Sequence, residues 1–391
     1  MSLNAFIAKR KAWGALLGGI GLVCAAPAAL AGPTIQFGEQ GSLTFTYALQ
    51  AWAQNVDYSA NNQVSQTDFF LRRNRLAFSG QFNDYIGFYA QLEGGGNPGA
   101  DNKVYFRDSY LTFDYTDELR FIIGEFKNTF SRENLEACLE PLTMDRSENL
   151  AYTPFGGTRD KGVAMWGNLL DAKLQYRLMV AQGRDDGNKA SDNPRLTARM
   201  HYSFFDPEYN YGYLGTYLGT AKVLTVGAAY DQQSDVVYAN YPMRHDPQDY
   251  KAWTVDAFFE YPAASGVYTV SGAYFEYDTN NVSNKMPDAN FPVSGDLKGH
   301  YVKAGYMFPD KVGFGRLQFF ARNEKSDYGI KTGIAEYHDR TWNSIGANYY
   351  LDGQKLKLTF EIADISFDTP HPVTPKLGDY TQATLGLQFI F

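Results

Sequence analysis

The sequence predicts an all-β fold: a transmembrane, up-and-down antiparallel β-barrel of about sixteen strands with a long loop folded inward. Three observations predict it. The final segment, Ala383-Thr384-Leu385-Gly386-Leu387-Gln388-Phe389-Ile390-Phe391, alternates apolar and polar residues and stays apolar to its last residue. After Gly32 the chain carries many apolar residues but no long apolar run. The connections between alternating segments are long and short by turns.

In the final segment, period two puts Ala383, Leu385, Leu387, Phe389 and Phe391 on one face. Thr384, Gly386 and Gln388 lie on the other, with Ile390 the apolar exception. A barrel whose outer face meets lipid uses such a strand routinely. The composition agrees: 44% of residues are hydrophobic and 16% aromatic, yet the mean hydropathy is −0.38. Apolar residues interleaved with polar ones exclude a helical membrane protein, which needs runs of roughly 20 apolar residues. The 29 Tyr and 28 Phe suit aromatic girdles at a bilayer surface.

Residues 1–31 read as a secretory signal peptide and 32–391 as the barrel domain. Lys9, Arg10 and Lys11 form a positive start, Ala12 to Ala26 an apolar stretch, and Ala29-Leu30-Ala31 a cleavage signal. Gly21 and Val23 do not give Cys24 the surroundings of a lipid-anchored cysteine. Loss of the leader removes three of 35 cations and none of 43 acids. So acidic a chain is a poor candidate for nucleic-acid binding. Cys138 is the one cysteine left, which excludes an internal disulfide and cysteine-based metal or haem sites.

Strands are expected near 41–56, 69–82, 85–94, 103–116, 119–128, 160–168, 172–183, 194–205, 222–231, 250–261, 266–278, 298–308, 315–325, 340–351, 354–364 and 380–391. Long connections fall near 57–68, 95–102, 129–159, 184–193, 232–249, 279–297, 326–339 and 365–379. Short ones carry turn residues, such as Asn83-Asp84, Thr116-Asp117-Glu118 and Leu351-Asp352-Gly353-Gln354. The Tyr- and Gly-rich segment 206–221 stands where a short turn is due and reads as an elaborated one.

Parity assigns each strand a lipid face. Leu119, Phe121 and Ile123 face out, as do Leu317, Phe319 and Ala321, and Leu356, Leu358, Phe360 and Ile362. A charge at the lipid midplane costs ~2–4 kcal/mol. The same rule turns Arg73, Arg75, Arg120, Lys173, Arg177, Arg195, Arg199, Lys303, Arg316, Arg322, Lys355 and Lys357 inward. The inward acids are fewer: Glu93, Asp108, Asp114, Asp256, Glu260, Glu276, Glu324 and Glu361. Paired, these are salt-bridge ladders that hold the wall. The surplus cations are candidates for anion selectivity: Arg73, Arg75, Arg120, Arg177, Arg199, Lys303, Arg316, Arg322, Lys355 and Lys357.

Segment 129–159 is the constriction candidate, being too long for an ordinary loop. Ser131 is placed to cap a helix running through Glu133, Leu135, Glu136, Cys138 and Leu139 to Pro141. The segment brings Arg132, Arg146 and Arg159 together with Glu133, Glu136, Glu140, Asp145 and Glu148. Histidines are only His201, His245, His300, His338 and His371. His201 is expected inward and three others in loops, and no Gly-x-Ser-x-Gly elbow marks a hydrolase. No catalytic residue, metal site or cofactor is expected.

Six stretches resemble the phosphate-selective porin O and P family of Gram-negative outer membranes: RRNRLAFSGQF (72–82), VYFRDSYLTFDY (104–115), LRFIIGEFKNTFSRENL (119–135), GRLQFFAR (315–322), NYYLDGQKLKL (348–358) and the terminal LGLQFIF. Arg120 and Gly124-Glu125-Phe126-Lys127 match the family's pattern before its long loop. The resemblance implies a sixteen-stranded trimeric barrel in the outer membrane, with inward loops and a basic constriction that passes anions. The expected function is a passive diffusion porin for small hydrophilic solutes, leaning toward anions such as phosphate. Its partners are then outer-membrane lipid, solute and two further copies in a homotrimer. Two alternatives stand beside it. One is a barrel sheathing a partner such as a multihaem cytochrome in an electron conduit. The other is a substrate-specific channel for organic acids or sugars, to which inward Tyr89, Tyr110 and Phe320 offer a greasy slide.

Overall fold

A computed structural model of the chain describes residues 32–59, 64–99, 103–147, 158–184, 189–240, 243–279, 296–328, 339–368 and 378–391. The leader expected over residues 1–31 lies outside them. A short strand, β1 (Thr34–Phe37), precedes the barrel. The barrel strands are β2 (Gly41–Asp57), β3 (Gln66–Gln81), β4 (Ile86–Gly94), β5 (Tyr105–Thr116), β6 (Leu119–Lys127), β7 (Arg159–Leu169), β8 (Leu174–Ala181), β9 (Arg195–Ser203), β10 (Val223–Asn240), β11 (His245–Ala263), β12 (Gly266–Asp278), β13 (Leu297–Met307), β14 (Arg316–Tyr328), β15 (Arg340–Asp352), β16 (Leu356–Phe367) and β17 (Tyr380–Ile390).

Each barrel strand pairs antiparallel with its sequence neighbours, and β17 returns to β2 with Gln388 opposite Gln50. The result is a closed barrel of 16 strands. Closure matters because an open edge in lipid leaves unpaired N–H and C=O groups. Beyond the end of β17, β1 folds back on β2 with Phe37 opposite Gly41.

The two faces separate as parity requires. On β17 Leu385 is 49% exposed and Thr384 1%. Its outward neighbours on β16 are Leu358, Phe360 and Ile362, all exposed. Outward rings gather near the short-turn rim, where Tyr268 meets Tyr306 at 5.3 Å and Phe308 meets Phe319 at 5.9 Å. Amphipathic rings suit that depth of a bilayer.

Three expectations are corrected. Residues 232–249 are not a long loop: β10 and β11 run on as a hairpin, with Val237 opposite Gln248 and Asn240 opposite His245. A register shift between Gln233 and Val237 absorbs the polar run Gln232-Gln233-Ser234-Asp235, so polarity there marks a bulge. Glu276 faces outward, 3.2 Å from Lys298. Its neighbours Phe275 and Tyr277 take the inner face because Phe130 packs there, 5.7 Å from Tyr277 in centroid distance. Lys355 lies in the turn before β16 and is exposed, so parity does not carry it into the lumen.

Candidate functional site

The long loop after β6 turns inward at its first residue. Asn128 Oδ1 accepts from the Phe130 N–H at 2.8 Å, and Asn134 Nδ2 donates to the carbonyls of Asn128 and Thr158. Ser131 then caps helix α1 (Arg132–Leu135), its hydroxyl accepting from the Asn134 N–H at 3.0 Å. The cap falls where the sequence places it, but the helix stops at Leu135 rather than reaching Pro141. A second chain segment stops it. Tyr213 N donates to the Leu135 carbonyl at 3.2 Å, Ala137 N donates to the Tyr213 carbonyl at 2.8 Å, and Glu136 becomes extended. Lys127 Nζ donates to the Glu136 carbonyl at 2.6 Å, a cation at the helix C-terminus.

That second segment is the connector 204–222, which enters from the short-turn end. Gln175 and Asn168 bind its backbone through the carbonyl of Tyr209. Arg132 on the loop and Glu208 on the connector form a two-pronged ion pair, 2.7 and 2.8 Å, with both side chains fully enclosed. Burial opposes the Glu208 charge, yet Arg132 holds its carboxyl down at about 2. The Tyr213 hydroxyl accepts from Arg177 and Arg199 and shares a 2.6 Å hydrogen bond with Nδ1 of His201. Two accepted bonds leave its hydrogen for the imidazole. The guanidinium of Arg132 stacks 4.4 Å and that of Arg177 4.7 Å from its ring. Glu260 on β11 accepts from Thr216, Tyr217 and Gly219, fixing the connector's return.

The far half of the loop crosses to the opposite wall. Lys303 on β13 pairs with Glu133, which also accepts from the Ser147 N–H. Asn348 on β15 donates to the Leu142 carbonyl at 2.8 Å, and Glu361 on β16 accepts from the Met144 N–H at 3.3 Å. Arg72 and Arg73 on β3 close on Asp145 at 2.8 and 2.7 Å. Burial works against the Asp145 charge, but Arg73, Arg72 and Arg146 hold its carboxyl far below the ordinary range.

The sequence-derived candidates now fall into groups. Arg75 pairs with Glu93, Arg120 with Asp117, Arg199 with Asp256 and Arg322 with Glu361. Arg159 stays at the loop base on Asp108. Four of the inward candidate cations have no carboxylate partner within ion-pair distance among the described residues. Arg177 donates to Tyr213 and to the Tyr211 carbonyl, Arg316 to the Leu218 carbonyl at 3.0 Å, and Arg146 to the Asn134 carbonyl at 3.0 Å. The buried Lys357 ammonium has no hydrogen-bond partner among the described residues. Two loop acids also have carboxylate oxygens without a hydrogen bond among the described residues. Both carboxylate oxygens of Glu136 and one of Glu140 are buried without a hydrogen bond. Burial pushes Glu136 up and Glu140 up to about 8.

Glu208, Tyr213 and Tyr217 were not singled out by the sequence. The only signal for them was the length of 206–221 at a place due a short turn. Of the histidines, His201 is enclosed against Tyr213, while His245 is exposed at the start of β11 rather than in a loop. His338 and His371, like Glu148, lie outside the described residues.

A closed sixteen-stranded barrel whose lumen is crossed by a loop defines an outer-membrane channel of the porin class. The chain belongs to the phosphate-selective porin O and P family, whose family model matches residues 44–391. An uncharacterised protein of Aquifex aeolicus (strain VF5) is 21% identical over 342 residues, 78% of each chain. Among solved structures, OmpF of Salmonella typhi, in complex with daunomycin, superposes with a TM-score of 0.63 at 15% identity, covering 91% of this chain and 99% of that one. The anion-selective porin from Comamonas acidovorans gives 0.59 at 12% identity, covering 90% and 100%. Family and fold point to a Gram-negative outer membrane and to a channel rather than an enzyme.

Proposed function

We propose that the protein is a homotrimeric porin that passes small hydrophilic solutes by diffusion and favours anions. One observation carries the anion preference. Arg146 on the loop, Arg177 and Arg316 against the connector and Lys357 on the facing wall have no carboxylate within ion-pair distance among the described residues. The acids nearest that gap, Glu136 and Glu140, are pushed toward their neutral forms by burial. The remaining cations attract anions as far as salt screening allows, with a Debye length of ~8 Å at physiological ionic strength.

Half-buried inward groups include Gln54, Ser79, Tyr89 and Asp114 on β2 to β5, so that side of the lumen keeps contact with water. A lumen crossed by two chain segments speaks against a sheath around a large haem protein. Phosphate and organic acids would meet the same cations, so the solute is defined here as a small oxyanion. The test is the reversal potential of the purified protein in a planar bilayer under a potassium chloride gradient. An anion-selective sign is expected, with chloride current blocked by phosphate or by a short dicarboxylate. A cation-selective sign would overturn the reading.

A further inference from the structure

We infer that the connector 204–222 is the second half of the constriction: it latches the inward loop, and the passage opens only as far as their junction lets go. This rests on the channel reading. The two segments enter from opposite ends of the barrel and share no covalent neighbourhood. They are nevertheless joined by three kinds of contact. The backbone pairs at Leu135, Ala137 and Tyr213, with Gly215 N also donating to the Glu140 carbonyl at 3.0 Å. Arg132 and Glu208 form a completely enclosed ion pair. The Tyr213 ring lies under the guanidinium of Arg132 while its hydroxyl is gripped by Arg177 and Arg199 on the wall.

Gly215 shows how tight the seam is. A Cβ there would stand 2.6 Å from the Leu142 nitrogen and 2.8 Å from the Glu140 carbonyl oxygen. Backbone atoms cannot yield as a side chain can, so only glycine lets the segments close. The Glu208 carboxylate also fills the fork of Arg132 in the geometry an oxyanion or carboxylate solute would use. The connector therefore occupies the loop's own anion-binding group while the latch is shut.

Cys138 provides a reporter, since the residue is only 3% exposed in the latched arrangement. The experiment compares the full-length wild type with Glu208→Gln, Gly215→Leu and a barrel in which 207–220 is replaced by an Asn-Gly turn. Alkylation of Cys138 by iodoacetamide is followed by peptide mass spectrometry, alongside single-channel conductance. Heat-modifiable electrophoretic mobility confirms barrel closure for each variant. Alkylation at least ten times faster in folded latch variants, with higher conductance, is expected. A folded connector-replaced barrel with Cys138 still protected and conductance unchanged overturns the latch while leaving the porin reading intact. Faster alkylation with no conductance in any protein, wild type included, supports the latch and removes the porin reading.

Discussion

Arg73 on the wall and Asp145 on the inward loop meet at 2.7 Å, with Arg73 also donating to Gln50 at 2.6 Å. The wall's cations and the loop's acids are thus one set, and the loop docks by neutralising the wall. Asp145→Asn should remove the carboxylate charge that Arg72 and Arg73 share. Removing one partner of a buried pair costs ~3–5 kcal/mol, so the loop's far half should release. We expect a larger anion-to-cation permeability ratio and noisier single-channel current. An unchanged reversal potential would remove Asp145 from the neck.

Replacing Arg316 and Lys357 together by Gln should lower the anion-to-cation permeability ratio, because neither cation has a carboxylate within ion-pair distance among the described residues. Arg322→Gln should act less, since Glu361 already offsets that charge at 3.3 Å. The order of the two effects in one salt gradient is the measurement. Equal effects would mean that pairing does not govern selectivity here.

Deleting residues 137–143 should raise single-channel conductance, as the deleted stretch spans the lumen between Tyr213 and Asn348. No rise would leave the loop without a role in restricting flow.

Conductance should depend on pH between about 4.5 and 8. Burial raises Glu140 from an ordinary 4.5 to about 8 in the closed arrangement. A carboxyl raised in the closed state binds more protons there than in a hydrated, open one. Closure is therefore fully supported below about 4.5 and loses support as pH rises toward 8. Open probability should climb over that interval, and Glu140→Gln should flatten the climb. A wild-type profile that falls with pH would reverse the assignment.

Leu385→Arg places a charge on the lipid face opposite Phe360. It should destabilise the barrel by ~2–4 kcal/mol near the midplane. Urea titration of protein folded into vesicles reads this, with Thr384→Ser on the inner face as the comparison. A shift no larger than the comparison's would mean that Leu385 does not face lipid.

The strands were legible because lipid enforces period two, and Leu356 to Ile362 and Leu385 to Phe389 show it without exception. Parity failed where the lumen is itself apolar. Phe275 and Tyr277 turn inward toward Phe130, and the outward place goes to Glu276. It also failed at Lys355, where a turn has no faces. The loop's cap was local, Ser131 and Asn134 being three residues apart, so it could be read. The latch could not. Arg132 and Glu208 meet across 76 residues, and nothing near either one names the other.

The barrel's seam has a consequence for biogenesis. Gln50 donates to Gln388 at 2.6 Å across 338 residues, so the earliest barrel strand waits on the latest. Until that partner is delivered, the growing sheet offers two sticky flanks to anything nearby. Contacts of such long range also form slowly. The transport route must therefore carry the polypeptide unfolded and shielded, and release it where the ring can shut.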